Sequence, residues 1–127
     1  MTIQATWLLA GLFAAHFLGD FTPLATPRMQ EAKAAGGPIG YIAAHAGIHA
    51  ALAGVVVWAI VSPAGGVLAI AAATVFLTHF AIDAVRARAA VAVRALVDPN
   101  RQAFWTALGV DQLAHGLVLV YVASMVT

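Results

Sequence analysis

The sequence predicts an all-α fold: an integral membrane four-helix antiparallel bundle forming a single transmembrane domain over residues 1–127. Three observations carry that prediction. Of the 127 residues, 63% are hydrophobic and 9% charged, against roughly a quarter charged in soluble domains. No Asp, Glu, Lys or Arg occurs from Ala34 to Ile82, a run too long for one span of about 20 residues and suited to two. The ionisable residues that do fall in apolar stretches recur at one helical spacing.

The first helix covers about residues 3–21. Its opening, MTIQATWLLAGLFAAHF, lacks a positive n-region and a clear cleavage site, so it reads as a retained helix and not a signal peptide. Pro23 and Pro27 stop it, and Arg28, Met29, Glu31 and Lys33 read as a solvated polar connection. A second helix runs over 38–61 and ends at Ser62-Pro63-Ala64-Gly65-Gly66, a turn signal. The third covers 65–85, and the Ala/Val stretch bearing Arg86, Arg88 and Arg94 can extend it into the interface. Asp98-Pro99-Asn100-Arg101 forms a loop, and the fourth helix covers 103–125. Short turns make neighbouring helices antiparallel. Trp7, Trp58 and Trp105 suit interfacial anchoring, while Gly11, Gly47, Gly54 and Gly116 suit close helix approach.

All six basic residues lie in two connections: Arg28 and Lys33 in one, Arg86, Arg88, Arg94 and Arg101 in the other. The positive-inside rule places both in the cytoplasm and both termini outside, in a bacterial inner membrane. The chain has no cysteine, which excludes disulfides, thiolate metal sites and cysteine catalysis. No basic face with interleaved aromatics appears, so nucleic acid is not an expected partner. The bilayer is.

The five histidines carry the chemistry. His16 precedes Asp20 by four residues, His45 precedes His49 by four, His79 precedes Asp83 by four, and His115 follows Asp111 by four. That spacing puts both members of a pair on one helix face, and at this composition a given histidine finds such a partner roughly one time in eight. Here every histidine has one, and each predicted helix carries one pair. The pairs fall late in the first and third helices and early in the second and fourth, hence at one depth, in the cytoplasmic half of the bilayer.

Ionisable groups inside a membrane cost roughly 2.5–3.5 kcal/mol each on insertion scales, so they need partners. Five imidazoles and three carboxylates suit one or two divalent cations, with Zn²⁺ or Fe²⁺ the leading candidates and Mn²⁺ a third. The candidate metal ligands are His16, Asp20, His45, His49, His79, Asp83, Asp111 and His115. Eight ligands suit two metals per chain, about 3.5–4 Å apart as in dinuclear sites generally. Gln112, beside Asp111, is placed to hydrogen-bond a ligand from behind or simply to join helices. Lys33 and Arg86 are candidate anion contacts. Arg86 and its neighbouring arginines otherwise act as topology determinants, or hold anionic headgroups. Thr74 and Thr78 read as backbone-bonded helix residues. The competing reading of the whole cluster is a metal-free polar network or proton relay; a bis-histidine haem would want single opposed histidines.

The order of the pairs suggests an internal duplication. H-F-L-G-D and H-A-G-I-H in the first half are followed by H-F-A-I-D and D-Q-L-A-H in the second. A two-helix hairpin used twice, about an axis along the membrane normal, places the site on that axis.

These motifs, from His16-Phe17-Leu18-Gly19-Asp20-Phe21 through His45 and His49 to His79-Phe80-Ala81-Ile82-Asp83 and Asp111-Gln112-Leu113-Ala114-His115, resemble a widespread group of small bacterial membrane proteins known as a domain of unknown function. The resemblance covers nearly the whole chain and implies a four-helix membrane fold. It implies no activity. Met29 and Lys33 look like the family's Met and Lys, but Leu24 stands where many members have glutamine.

Three functions follow as expectations. A membrane metalloenzyme acting on a lipid-like substrate would use the metal to lower the pKa of water for hydrolysis, or for oxidative chemistry with iron. A divalent metal-ion transporter or carrier would require flux through a thin bundle, hence a homo-oligomer. An accessory subunit would use the metal, or a proton-relay cluster, structurally.

Overall fold

The computed structural model describes residues 2–127. Among the described residues the fold is all-α: α1 (Ile3–Phe21), α2 (Pro27–Ala35), α3 (Ile39–Val61), α4 (Gly65–Ala92), a 3-10 turn (Arg94–Val97) and α5 (Gln102–Val126). Three of these helices, α3, α4 and α5, are long and apolar enough to cross a membrane. The fourth long helix, α1, has 19 residues, but Gln4, His16 and Asp20 dilute its hydropathy.

The four long helices close into a ring. α1 packs on α3 and α5, and α4 packs on α3 and α5. Gln4 near the start of α1 donates from Nε2 to the Ile60 carbonyl near the end of α3, at 3.0 Å, so those helices are antiparallel. At this end the interior is wholly apolar. Leu8 and Leu12 of α1 meet Ala53 and Val57 of α3, Ala71 and Val75 of α4, and Leu119 and Val122 of α5. Outward faces carry exposed apolar side chains such as Leu77, Val85, Val110 and Leu117, as a lipid-facing surface requires.

One element differs from the sequence reading, and one extension it allowed, that of α4, forms. The expected polar connection after Phe21 is helical over Pro27–Ala35, so there are five helices and not four. Pro27 does not only end α1; it occupies the first turn of α2, where its missing N–H has no role. Thr26 caps that turn by accepting from the Met29 N–H at 3.4 Å, and Gly36, at φ 81°, ends the helix in the left-handed region. Ala32 of α2 is buried against Ile42 and Ala87, so α2 lies across α3 and α4. α4 also continues to Ala92, and all six basic residues fall on or beside α2, the end of α4, the 3-10 turn and the start of α5.

Of the glycines expected at close helix contacts, a Cβ at Gly11 would come within 2.8 Å of Val56, one at Gly116 within 3.4 Å of Phe13, and one at Gly54 within 3.9 Å of Ala72. Gly47 differs: it faces open space. Trp7, Trp58 and Trp105 are all exposed, the first two at the apolar end and the third at the basic end.

Because lipid solvates leucine as well as a protein core does, packing contributes here mainly through lost contacts and cavities. Leu12→Ala should therefore destabilise by about 2 kcal/mol, the low end of the soluble-core range. Leu117→Ala, on the outer surface, should be neutral. Unfolding in mixed micelles checks both.

Candidate metal centre

The eight ionisable residues singled out from the sequence converge at one level of the bundle, between the apolar core and the basic end. His16 and Asp20 come from the last turns of α1, His45 and His49 from the early turns of α3, His79 and Asp83 from α4, and Asp111 and His115 from α5. All eight side chains are buried, Asp83 completely. The His49 and His79 rings stack at 3.7 Å between centroids, and His79 lies 4.1 Å from His115.

Two groups offer ligand atoms within 4.8 Å of one another and could hold a metal ion. The first is Asp20, His45, His49 and His79. The second is His79, Asp83 and His115. His16 and Asp111 fall outside both groups; His16 meets the first through His49, and Asp111 meets the second through His115.

Hydrogen bonds assign the protons, and the assignment tests whether a cation fits. Gln112 Nε2 donates to Asp20 Oδ2 at 3.0 Å, which orients its amide. Gln112 Oε1 then accepts from His16 Nε2 at 3.3 Å. His16 Nδ1 is left with its lone pair, 3.3 Å from His49 Nδ1, which must be the donor. His49 Nε2 therefore carries a lone pair, and it faces Asp20 Oδ1 at 3.3 Å. Two electron-pair donors face each other there with no proton between them. His115 repeats the pattern. Its Nδ1 donates to the Asp111 carbonyl at 2.9 Å, so its Nε2 is a lone pair as well. The Nε2 atoms of His49, His79 and His115 and both oxygens of Asp83 are buried without hydrogen-bond partners. Asp83 Oδ1 is offset by the Lys33 ammonium; groups left without any such partner are rare and costly in folded proteins. These atoms belong to the two groups that could each hold a metal ion, so the donor set fits a metal.

Lys33 is the other cation in reach. From α2, its Nζ lies 2.9 Å from Asp83 Oδ1 and 3.9 Å from Asp20 Oδ1. The pairing is ionic and close, without the alignment of a hydrogen bond to Asp83. Burial lowers the pKa of Lys33, but the Asp83 and Asp20 carboxylates outweigh it and hold the ammonium above its ordinary value.

Above the cluster lies a cavity of about 260 Å³. Asp20, His45, Asp111 and Gln112 form its floor, and Lys33 and Arg86 stand in its wall. Toward the apolar end the space shrinks to about 10 Å³, between the histidines and Leu12, Val75 and Leu119, room for one water at most.

A family model described as a protein of unknown function (DUF3307) matches residues 8–127. The chain belongs to that family. No curated protein and no solved structure matches the chain. Leu24, where the resemblance leads one to expect glutamine, is exposed.

Gly19 is the residue that sequence reasoning missed. A Cβ there would fall inside the His49 imidazole, so only glycine admits that ring beside Asp20. The signal is present in the motif H-F-L-G-D but is unreadable until α3 is placed against α1. Gly19→Ala should displace His49 and abolish high-affinity metal binding with helix content unchanged, as seen by circular dichroism beside a metal-competition titration. Gln112→Leu removes the group that orders the protons, and should weaken metal binding by about 10–100-fold in the same titration.

Proposed function

We propose that the chain is a membrane-embedded metalloenzyme acting on a lipid-like substrate at the cytoplasmic face. The observation that carries this reading is the convergence of buried imidazoles and carboxylates, several of them without hydrogen-bond partners, beneath the floor of a cavity. Asp20, His45, His49 and His79 form the primary site, an N₃O set suited to Zn²⁺ or Fe²⁺. An imidazole nitrogen has one lone pair, so His79 serves one ion at a time. Asp83 and His115 then form a second, weaker site with open positions. When bound, the metal supplies Lewis acidity toward water or a substrate oxygen.

The chain's own residues do the rest. His16 and Gln112 hold His49 in the ligand tautomer. Asp111 holds His115 through its carbonyl. Asp111 also places a carboxylate in the cavity, outside both ligand groups, where it can accept a proton from a substrate or water. The apolar core below excludes water and closes the bundle's far side.

The basic end of the bundle is read as cytoplasmic, with α1 as a fourth span and both termini outside. The two H-F-x-x-D helices, α1 and α4, stand opposite each other in the ring, which supports a duplicated hairpin.

The test is the metal content of detergent-purified protein by mass spectrometry. Near one equivalent should be retained tightly and a second lost on dialysis. His49→Ala should remove the tight equivalent, and Asp83→Ala only the weak one. A folded protein without metal, before and after exposure to Zn²⁺ and Fe²⁺, would sink the reading and leave a polar or proton-conducting network.

A further inference from the structure

The cavity above the cluster has a charge pattern that the metal reading alone does not use. Three carboxylates, Asp20, Asp83 and Asp111, lie at its floor or just beneath it, against two cations, Lys33 and Arg86. Lys33 is committed to the carboxylates. Arg86 is not. It makes no ion pair among the described residues, and the one hydrogen bond that it donates to protein, from Nη2 to the Leu96 carbonyl at 3.3 Å, pins it in the cavity wall. A guanidinium has five N–H donors in a planar fork suited to phosphate. A half-buried arginine with most of those donors unused, beside a cavity, lacks an anion.

Apart from Gln30, the remaining wall is apolar. Phe21, Leu96, Val97, Phe104 and Leu108 line it, and Phe21 is 56% exposed on the outer surface. The volume of about 260 Å³ lies just below the usual range of roughly 300–1,000 Å³ for whole small-molecule sites. It accommodates a headgroup while the chains of an amphiphile remain outside against Phe21. Arg86 and the 3-10 turn lie at the basic end, where headgroups sit.

Resting on the metal reading, we infer that the cavity binds a phosphate-bearing anion, such as a phospholipid headgroup, between Arg86 and the metal cluster, and only when metal is present. The charge balance gives the dependence. Without metal, the carboxylates outnumber the two cations and repel a phosphate. One divalent ion reverses the sign, and in a low-dielectric site that reversal decides binding. Linkage makes the coupling reciprocal: the anion tightens the metal by the factor by which the metal tightens the anion.

The experiment uses the full chain in maltoside micelles, either Zn²⁺-loaded or chelated, titrated calorimetrically with dihexanoyl phosphatidic acid and separately with inorganic phosphate. Zn²⁺-loaded protein should bind the short-chain lipid, and chelated protein should not. Arg86→Gln should keep its metal content and lose about tenfold or more in affinity, the worth of a charge-assisted contact. Tighter binding of the lipid than of phosphate identifies an amphiphile; equal binding identifies free phosphate as the source, and both support the site. Loaded protein that binds neither, with metal intact, overturns the anion site and leaves the metal centre standing. Equal binding by chelated protein overturns the metal dependence. A chain that retains no Zn²⁺ at all fails at the metal reading, and the inference falls with it.

Discussion

One carboxylate ties the polar half of this bundle together. Asp20 projects from α1 and is met by His45 and His49 of α3, by Gln112 of α5 and by Lys33 of α2. Four elements therefore share one anion. Inside a membrane bundle a charge that is not matched is expensive, and breaking a buried pair is worse than never having made it. The register of α1 against α3 and α5 is thus set as much by Asp20 as by packing. Gly19 beside it shows the constraint acting on the backbone, since the helix gives up a side chain to bring the His49 ring against its neighbour.

The two ends of the bundle divide the work. At the apolar end, Leu8, Leu12, Val57 and Val122 are fully buried and supply the contact energy that holds helices together where lipid offers no hydrophobic driving force. At the basic end the interior opens into a cavity, and α2 covers α3 and α4. A rigid, dry end below and an accessible chamber above are what a site needs to exclude bulk water and still admit a ligand from one side. The same polarity explains why the outer faces can be almost uniformly apolar while the inner ones are not.

Much of this was legible in the sequence because helical spacing is a strict rule. Residues four apart share a face whatever the tertiary context, so the pairs from His16–Asp20 to Asp111–His115 announced both their helices and their convergence. The near-absence of charge elsewhere gave the apolar helices. What was hidden depends on contacts between helices. Pro27 reads equally well as a stop or as a first-turn residue, and only the burial of Ala32 against Ile42 and Ala87 decides that α2 forms. Gly47 looked like a contact glycine, but its side of α3 meets nothing. The division of the eight groups into those facing the centre and those behind it rests on ring orientations and protons, which spacing does not encode.

That division shows where the two halves of the chain part company. His16 and His79 hold the same place in their motifs, yet His16 turns to Gln112 and His49, while His79 belongs to both ligand groups. The asymmetry has a local cause. Gln112 has no counterpart in the H-A-G-I-H segment, where Ala46 follows His45, so only one half can draw its first histidine off the centre. The same glutamine donates from Nε2 to Asp111 Oδ2 at 3.3 Å, and Asp111 lies at the cavity floor. On the proposed reading, a symmetric cluster would engage every group with metal, whereas Asp111 here lies outside both ligand groups and lines the cavity. On that reading the departure from symmetry gives the proposed metal cluster an open side.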